Sequence, residues 1–249
     1  MRNKVPAVTL AFWVIKIAAT TVGETGGDAL SMTLNLGYLV STAIFFAIFV
    51  VLLAGQVAAK KFHPFLYWAV IVATTTTGTT ISDYLDRTAG LGYPLASLLL
   101  FTGVLASLAL WSFTTGSVSV ERIDTRRAEI FYWVTILISN TLGTALGDFT
   151  ADSMRSGFEG GALIFAGLLA ILAAAYFWTN ISRTLLFWTA FILTRPLGAT
   201  LGDILTKPVS HGGLNLDRIT SSLVIAVFII VCIFLLGRRA EQEPDTAAT

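Results

Sequence analysis

The chain has 249 residues, 55% of them hydrophobic and 12% charged, with a mean hydropathy of +0.78 and a formal net charge of +1. Soluble domains carry about 25% charged residues, so this composition describes an integral membrane protein. The balanced charge, with no basic tract, argues against a nucleic-acid partner, and one cysteine, Cys232, excludes an intrachain disulfide.

Eight segments approach the roughly 20 apolar residues that a spanning helix needs. They are Val8–Asp28, Thr33–Gly55, Pro64–Tyr84, Gly92–Thr114, Ala128–Phe149, Gly157–Trp178, Thr184–Leu205 and Leu216–Leu236. No cleavage site of small residues follows Met1–Pro6, so the first segment is expected to be retained. Residues 1–239 then form a single transmembrane domain, and the polar stretch 240–249 is expected to be a disordered tail. Cys232, inside the last apolar run, reads as a structural thiol.

The odd-numbered segments repeat one skeleton: Trp13–Asp28 is WVIKIAATTVGETGGD, Trp68–Asp83 WAVIVATTTTGTTISD, Trp133–Asp148 WVTILISNTLGTALGD and Trp188–Asp203 WTAFILTRPLGATLGD. Each has a glycine ten residues after the Trp, an aspartate at fifteen and a second glycine at twenty-four (Gly37, Gly92, Gly157, Gly212). The repeats cover about 8–55, 64–114, 128–178 and 184–236. The Trp spacings of 55, 65 and 55 put ten extra residues in the charged Gly116–Arg127 connection and divide the chain into two duplicated halves.

The expected fold is therefore an all-α membrane protein: eight transmembrane helices as four tandem helical hairpins. An even number of spans per repeat makes the repeats parallel, in a pseudo-fourfold arrangement with odd helices inside and even helices outside. Lys and Arg counts set the orientation. Arg2, Lys4, Lys60, Lys61, Arg122, Arg126, Arg127, Arg183, Arg238 and Arg239 lie on the side of the termini, against Arg87, Arg155, Lys207 and Arg218 opposite. Both termini are thus expected in the cytoplasm. Fifteen residues of helix span about 22 Å, which places the aspartates near the outer end of the hydrocarbon layer.

At 100° per residue, the positions 0, 3, 7, 10, 11, 14 and 15 after each Trp share an arc of about 140°. Positions 10 and 14 are Gly23 and Gly27, Gly78 and Ser82, Gly143 and Gly147, Gly198 and Gly202, a small-residue seam for close helix packing. Positions 3, 7, 11 and 15 form a polar stripe: Lys16, Thr20, Glu24 and Asp28; Ile71, Thr75, Thr79 and Asp83; Ile136, Asn140, Thr144 and Asp148; Phe191, Arg195, Ala199 and Asp203. Ionisable groups at that depth cost several kcal/mol unless they face a bundle interior, so the stripes should face one another. Pro196, after Arg195, is expected to kink the seventh helix. The four repeat Trp residues read first as interfacial anchors and second as helix-packing residues. Asp86 and Asp152 read as solvated charges beside the outer mouth.

Glu24, Asp28, Asp83, Asp148 and Asp203, with nearby Thr and Asn oxygens, are hard ligands suited to a divalent cation such as Mg²⁺, Ca²⁺ or Mn²⁺. The competing reading is that each aspartate ends a helix or caps the next. Lys16, Glu24, Asn140 and Arg195 occur in one repeat each, so the hairpin does not require them. They either line a pathway or form a buried ion-pair cluster that holds the bundle together. His63 and His211 lie in loops and support no zinc site. No nucleophile elbow, paired histidine or phosphate loop is present, and no enzyme or required cofactor is expected.

The fourfold Trp, Gly and Gly-Asp pattern resembles a family of bacterial membrane proteins built from a repeat of unknown function. That resemblance covers all eight segments and implies a multi-pass protein of the bacterial inner membrane, without implying an activity. Glu24-Thr-Gly-Gly-Asp28 is also similar to the Glu-x-Gly-Asp signature of manganese and calcium exporters, though one residue longer. The expected function is transport of a cation, divalent or proton-coupled, along a central polar axis. The lipid bilayer and a small ion or solute are the expected partners. The alternative is a non-transporting scaffold or sensor.

Overall fold

The computed structural model describes residues 4–154 and 156–242. Long helices follow in order: α1 (Leu10–Asp28), α2 (Gly37–Ala58), α3 (Pro64–Asp83), α4 (Tyr93–Thr115), α5 (Arg126–Asp148), α6 (Gly157–Trp178), α7 (Arg183–Thr206) and α8 (Arg218–Gln242). No strand occurs among the described residues. The side chains of Arg2, Arg122, Arg155, Arg238 and Arg239, and residues 243–249 of the expected tail, lie outside the described residues. Hydroxyl caps from Thr9, Thr125 and Ser182 start α1, α5 and α7, and Pro64 starts α3.

Six helices are long and apolar enough to cross a membrane on length and composition alone: α2, α4, α5, α6, α7 and α8. The other two of the eight expected spans, α1 and α3, are the inner helices carrying Lys16, Glu24 and Asp28 or the run Thr74–Thr77. Within the apolar windows only 11–28% of residues are buried in the four even helices, against 67% in α5 and α7. Odd helices therefore form the interior and even helices the apolar exterior.

The inner four close into a ring, α1 against α3, α3 against α5, α5 against α7 and α7 against α1. The outer helices do not sit where a compact hairpin would put them. Helix α2 packs on α3, α4 on α5, α6 on α7 and α8 on α1, while consecutive helices such as α1 and α2 scarcely touch. Each outer helix thus covers the inner helix of the following repeat. The turn explains the offset. After the aspartate, Ala29–Thr33, Tyr84–Thr88 and Phe149–Ser153 each form one π-helical turn. The glycine at twenty-four then takes positive φ in every repeat: 71° at Gly37 and Gly92, 68° at Gly157 and 83° at Gly212. That left-handed step, which disfavours a side chain, carries the chain sideways to the next inner helix.

The ring is held by a seam that repeats with cyclic order. A Cβ at Gly23 would overlap Thr75, one at Gly78 would lie 3.0 Å from the Asn140 carbonyl carbon, one at Gly143 would overlap Arg195, and one at Gly198 would overlap Thr20. Position 10 of each repeat thus receives position 7 of the next, and the fourth repeat receives the first. Gly27, Gly147 and Gly202 do the same for Thr79, Ala199 and Glu24 one turn further on. Helix α7 runs through Pro196 without a break, and the proline ring lies opposite Gly143, where a Cβ would come within 3.0 Å of it.

Aromatic rings close the opposite end of the bundle. Trp68, Trp133 and Trp188 are buried and Trp13 is partly buried, so the anchoring reading gives way to packing. The aromatic residue before each Trp stacks on the Trp of the next repeat: Phe12 on Trp68 at 5.5 Å, Tyr67 on Trp133 at 5.5 Å, Tyr132 on Trp188 at 6.2 Å and Phe187 on Trp13 at 5.7 Å. Tyr67 and Tyr132 share a hydrogen bond of 2.5 Å between their hydroxyls.

Lys4 ties the N-terminal segment across this end. Its Nζ lies 2.6 Å from Glu129 Oε2 and donates to the carbonyls of Gln56, Val57 and Ala59 at the end of α2. Lys4→Met should cost about 3 kcal/mol, because it leaves the Glu129 carboxylate buried and unpaired. Thermal unfolding in detergent should show the loss, and Glu129→Gln in the same chain should restore most of it. A melting midpoint unchanged by Lys4→Met would remove the clamp from the account.

Candidate functional site: the axial column

The inner faces bring every residue of the polar stripe onto one axis. Thr20, Thr75, Thr79, Asn140, Thr144, Arg195 and Lys16 are completely buried, and Glu24 and the four aspartates are 1–3% exposed. From the aromatic end the column begins at Lys16, whose Nζ donates to Asn140 Oδ1 at 3.2 Å and lies 4.1 Å from the centre of the Phe191 ring. Asn140 Nδ2 donates in turn to Thr74 Oγ1 at 3.0 Å. One layer on, Arg195 Nη2 lies 3.0 Å from Glu24 Oε2 and also donates to the hydroxyls of Thr144, at 2.6 Å, and Thr79. Thr79 donates to Glu24 Oε2 at 3.3 Å. All four inner helices thus meet on one guanidinium–carboxylate pair. Thr20 and Thr75 are oriented differently: their hydroxyls donate to Thr194 O at 3.2 Å and Ala19 O at 3.0 Å, across the glycine seams.

The aspartates end the column. Lys207 Nζ bridges Asp28 Oδ2 at 2.7 Å and Asp203 Oδ1 at 3.1 Å. Arg87 bridges Asp83 Oδ1 at 3.3 Å and Asp148 Oδ2 at 3.2 Å. Arg218 Nε lies 3.6 Å from Asp28. Neither Asp28, Asp83 nor Asp148 makes a side-chain capping bond to the turn that follows it. Each is the last residue of its α-helix, and its buried carboxylate serves as an ion-pair partner rather than as a cap. Asp86 is buried, 3.1 Å from its donor Ser82 Oγ, so it is not the solvated charge the sequence suggested; Asp152 is exposed.

Burial opposes the charge on Lys207, but Asp203 and Asp28 outweigh it and hold its pKa well above the ordinary lysine range. Arg87 is raised in the same way, burial opposed by Asp83 and Asp148. A raised cation pKa stabilises fully below the unfolded value and is lost only as pH rises through the folded one. Both cations therefore stay charged across neutral pH.

The column contains five acidic groups, Glu24 and the four aspartates, and four basic ones, Lys16, Arg87, Arg195 and Lys207, with Arg218 a fifth at its edge, 3.6 Å from Asp28. The stripe alone shows two basic groups, so the acidic surplus expected from it is largely neutralised by Arg87 and Lys207. Both had a signal. Each stands four residues after a repeat aspartate, one helical turn, in the second and fourth repeats. Of the five carboxylates suggested for a metal, Glu24, Asp28 and Asp203 offer oxygens within 4.8 Å of one another. Asp83 and Asp148 stand across the ring on Arg87.

Residues 11–62, 66–117, 131–182 and 186–241 each match the family described as Repeat of Unknown Function (DUF347). No curated protein and no solved structure matches the chain.

Proposed function

The chain belongs to the DUF347 repeat family, whose four matches cover most of its length, and from that premise we propose that it is a multi-pass membrane transporter carrying a cation along the axis of its inner ring. The observation behind this reading is the trio Glu24, Asp28 and Asp203, three buried carboxylates within 4.8 Å of one another. Hard oxygen ligands at that spacing suit a divalent cation. In the conformation described, Lys207 occupies two of them and Arg195 the third. Lys207 acts as a tethered counter-cation: it leaves when an ion enters and returns when the ion departs. Arg195, fully enclosed, stays with Glu24 and the threonines and fixes the floor of the site. The termini and the aromatic end face the cytoplasm of a bacterial inner membrane, and the aspartate ring faces outward. The ring needs no cofactor and performs no bond chemistry.

Proteoliposome flux measured with Mn²⁺, Ca²⁺ and Mg²⁺ tests the assignment. Asp28→Asn with Asp203→Asn should abolish uptake, and Lys207→Met should lower the half-saturating ion concentration about tenfold, the effect of removing a competitor worth about 1.4 kcal/mol. Undiminished flux when Asp28, Asp83, Asp148 and Asp203 are all asparagine would sink the assignment. A second reading, a non-transporting scaffold or sensor, draws support from the close packing of the column, whose middle layers have no exposed surface. On that reading the aspartate variants lose stability and no solute moves in any assay.

A further inference from the structure

Lys16 is the exception among the cations of the column. Arg87, Arg195 and Lys207 each stand within 3.3 Å of a carboxylate, as does Lys4 at the aromatic end. Lys16 has no carboxylate partner among the described residues; it has the amide oxygen of Asn140 and the face of Phe191. An ammonium has three donors, and this one is completely buried.

Arg195 shows a second shortage, independent of the first. Its Nη2 carries every contact to Glu24, Thr79 and Thr144, while Nε and Nη1, equally buried, have no acceptor among the described residues. A guanidinium stays protonated in proteins, so these donors cannot be removed by titration. Leaving them unmet in a dry interior costs more than any single bond there gains. Phe191, whose ring centre lies 4.1 Å from Lys16 Nζ, stands four residues before Arg195 on α7, one helical turn, so the two surpluses fall in neighbouring layers of the column. At mid-column two basic side chains, Lys16 and Arg195, stand against one acidic one, Glu24.

We propose that Lys16 Nζ and the Nε and Nη1 groups of Arg195 form a binding site for a small monovalent inorganic anion of chloride size. Such an ion supplies the missing negative charge and accepts from both side chains. It does so without disturbing the Glu24 contact on Nη2. The surroundings set the size. Phe191, 4.1 Å from Nζ, and the completely buried Thr74 and Asn140 favour a small ion over a phosphate or an organic carboxylate. An uncharged Lys16 would account for the lysine but leave the arginine donors unmet.

The test uses the purified full-length protein in a non-ionic detergent, with sodium and total ionic strength held constant. Sodium gluconate is exchanged stepwise for sodium chloride or sodium bromide while the thermal unfolding midpoint and tryptophan fluorescence are followed. The wild type should show a saturable halide response. Lys16→Met should weaken the apparent dissociation constant at least tenfold. Arg195→Gln combined with Glu24→Gln, which removes the cation and its partner together so that the bundle still folds, should do the same. A wild type with no saturable response, or a Lys16→Met variant that keeps the wild-type halide affinity, overturns the proposal. Because the cation never changes, the result is independent of whether the protein moves one.

Discussion

Replacing Arg195 by Met should destabilise the protein by about 3–5 kcal/mol, the range for removing one partner of a buried ion pair. The side chain is completely enclosed, its Nη2 lies 3.0 Å from Glu24 Oε2, and Glu24 has almost no exposed surface. Without the guanidinium, the carboxylate keeps only the Thr79 hydroxyl at 3.3 Å, and Thr144 loses the donor it faces. Equilibrium unfolding in mixed micelles should show the loss. Glu24→Gln in the same chain should return most of it, because the amide removes the stranded charge. An Arg195→Met protein as stable as its parent would mean that Glu24 is solvated in a way the packing does not allow.

The second large effect should come from a single methyl group. Gly23→Ala and Gly198→Ala should each cost about 3 kcal/mol or more, at or beyond the usual range for overpacking. The added Cβ would overlap the Thr75 or Thr20 side chain and would also lie 3.0 Å or 2.9 Å from the backbone carbonyl carbon of that residue. A rotamer change does not relieve a backbone clash, so two inner helices would have to separate. Gly167→Ala in α6 is the matched control. Nothing lies within 4 Å of its Cβ position, and the substitution should be neutral or stabilise by up to about 1 kcal/mol through helix propensity. Melting midpoints of the three variants in one detergent decide the matter. Equal shifts for all three would show that the glycines serve flexibility rather than contact.

The polar stripe was legible because four copies of one segment share a helical period. Lys16, Glu24, Asn140 and Arg195 stood out as departures from it, and they meet on the axis. The small residues at positions 10 and 14 were legible for the same reason. Arg87 and Lys207 were not recognised as bridges because they follow the apolar segments and counted as loop charges. Their spacing of four from Asp83 and Asp203 was the available signal. The Trp residues shared the inner face with the glycines by the same arithmetic, and only the habit of placing Trp at membrane interfaces argued otherwise. The swapped packing was not legible at all. Two helices joined by a short turn are adjacent in sequence whether they pack on one another or pass to the next neighbour. What decides is the π-helical turn and the positive φ at Gly37, Gly92 and Gly157, a backbone geometry rather than a pattern of residue types.

Because each outer helix covers the inner helix of the following repeat, α3, α5 and α7 are covered by helices that precede them in the chain, whereas the cover for α1 is α8, which follows it. Helix α1 carries Lys16, Glu24 and Asp28 and is not apolar enough to cross a bilayer on composition alone. Its outer flank therefore stays uncovered until the chain has been made as far as α8. A nascent chain halted before α8 would leave the flank of α1, with its buried Lys16, Glu24 and Asp28, uncovered while α3, α5 and α7 already have their covers.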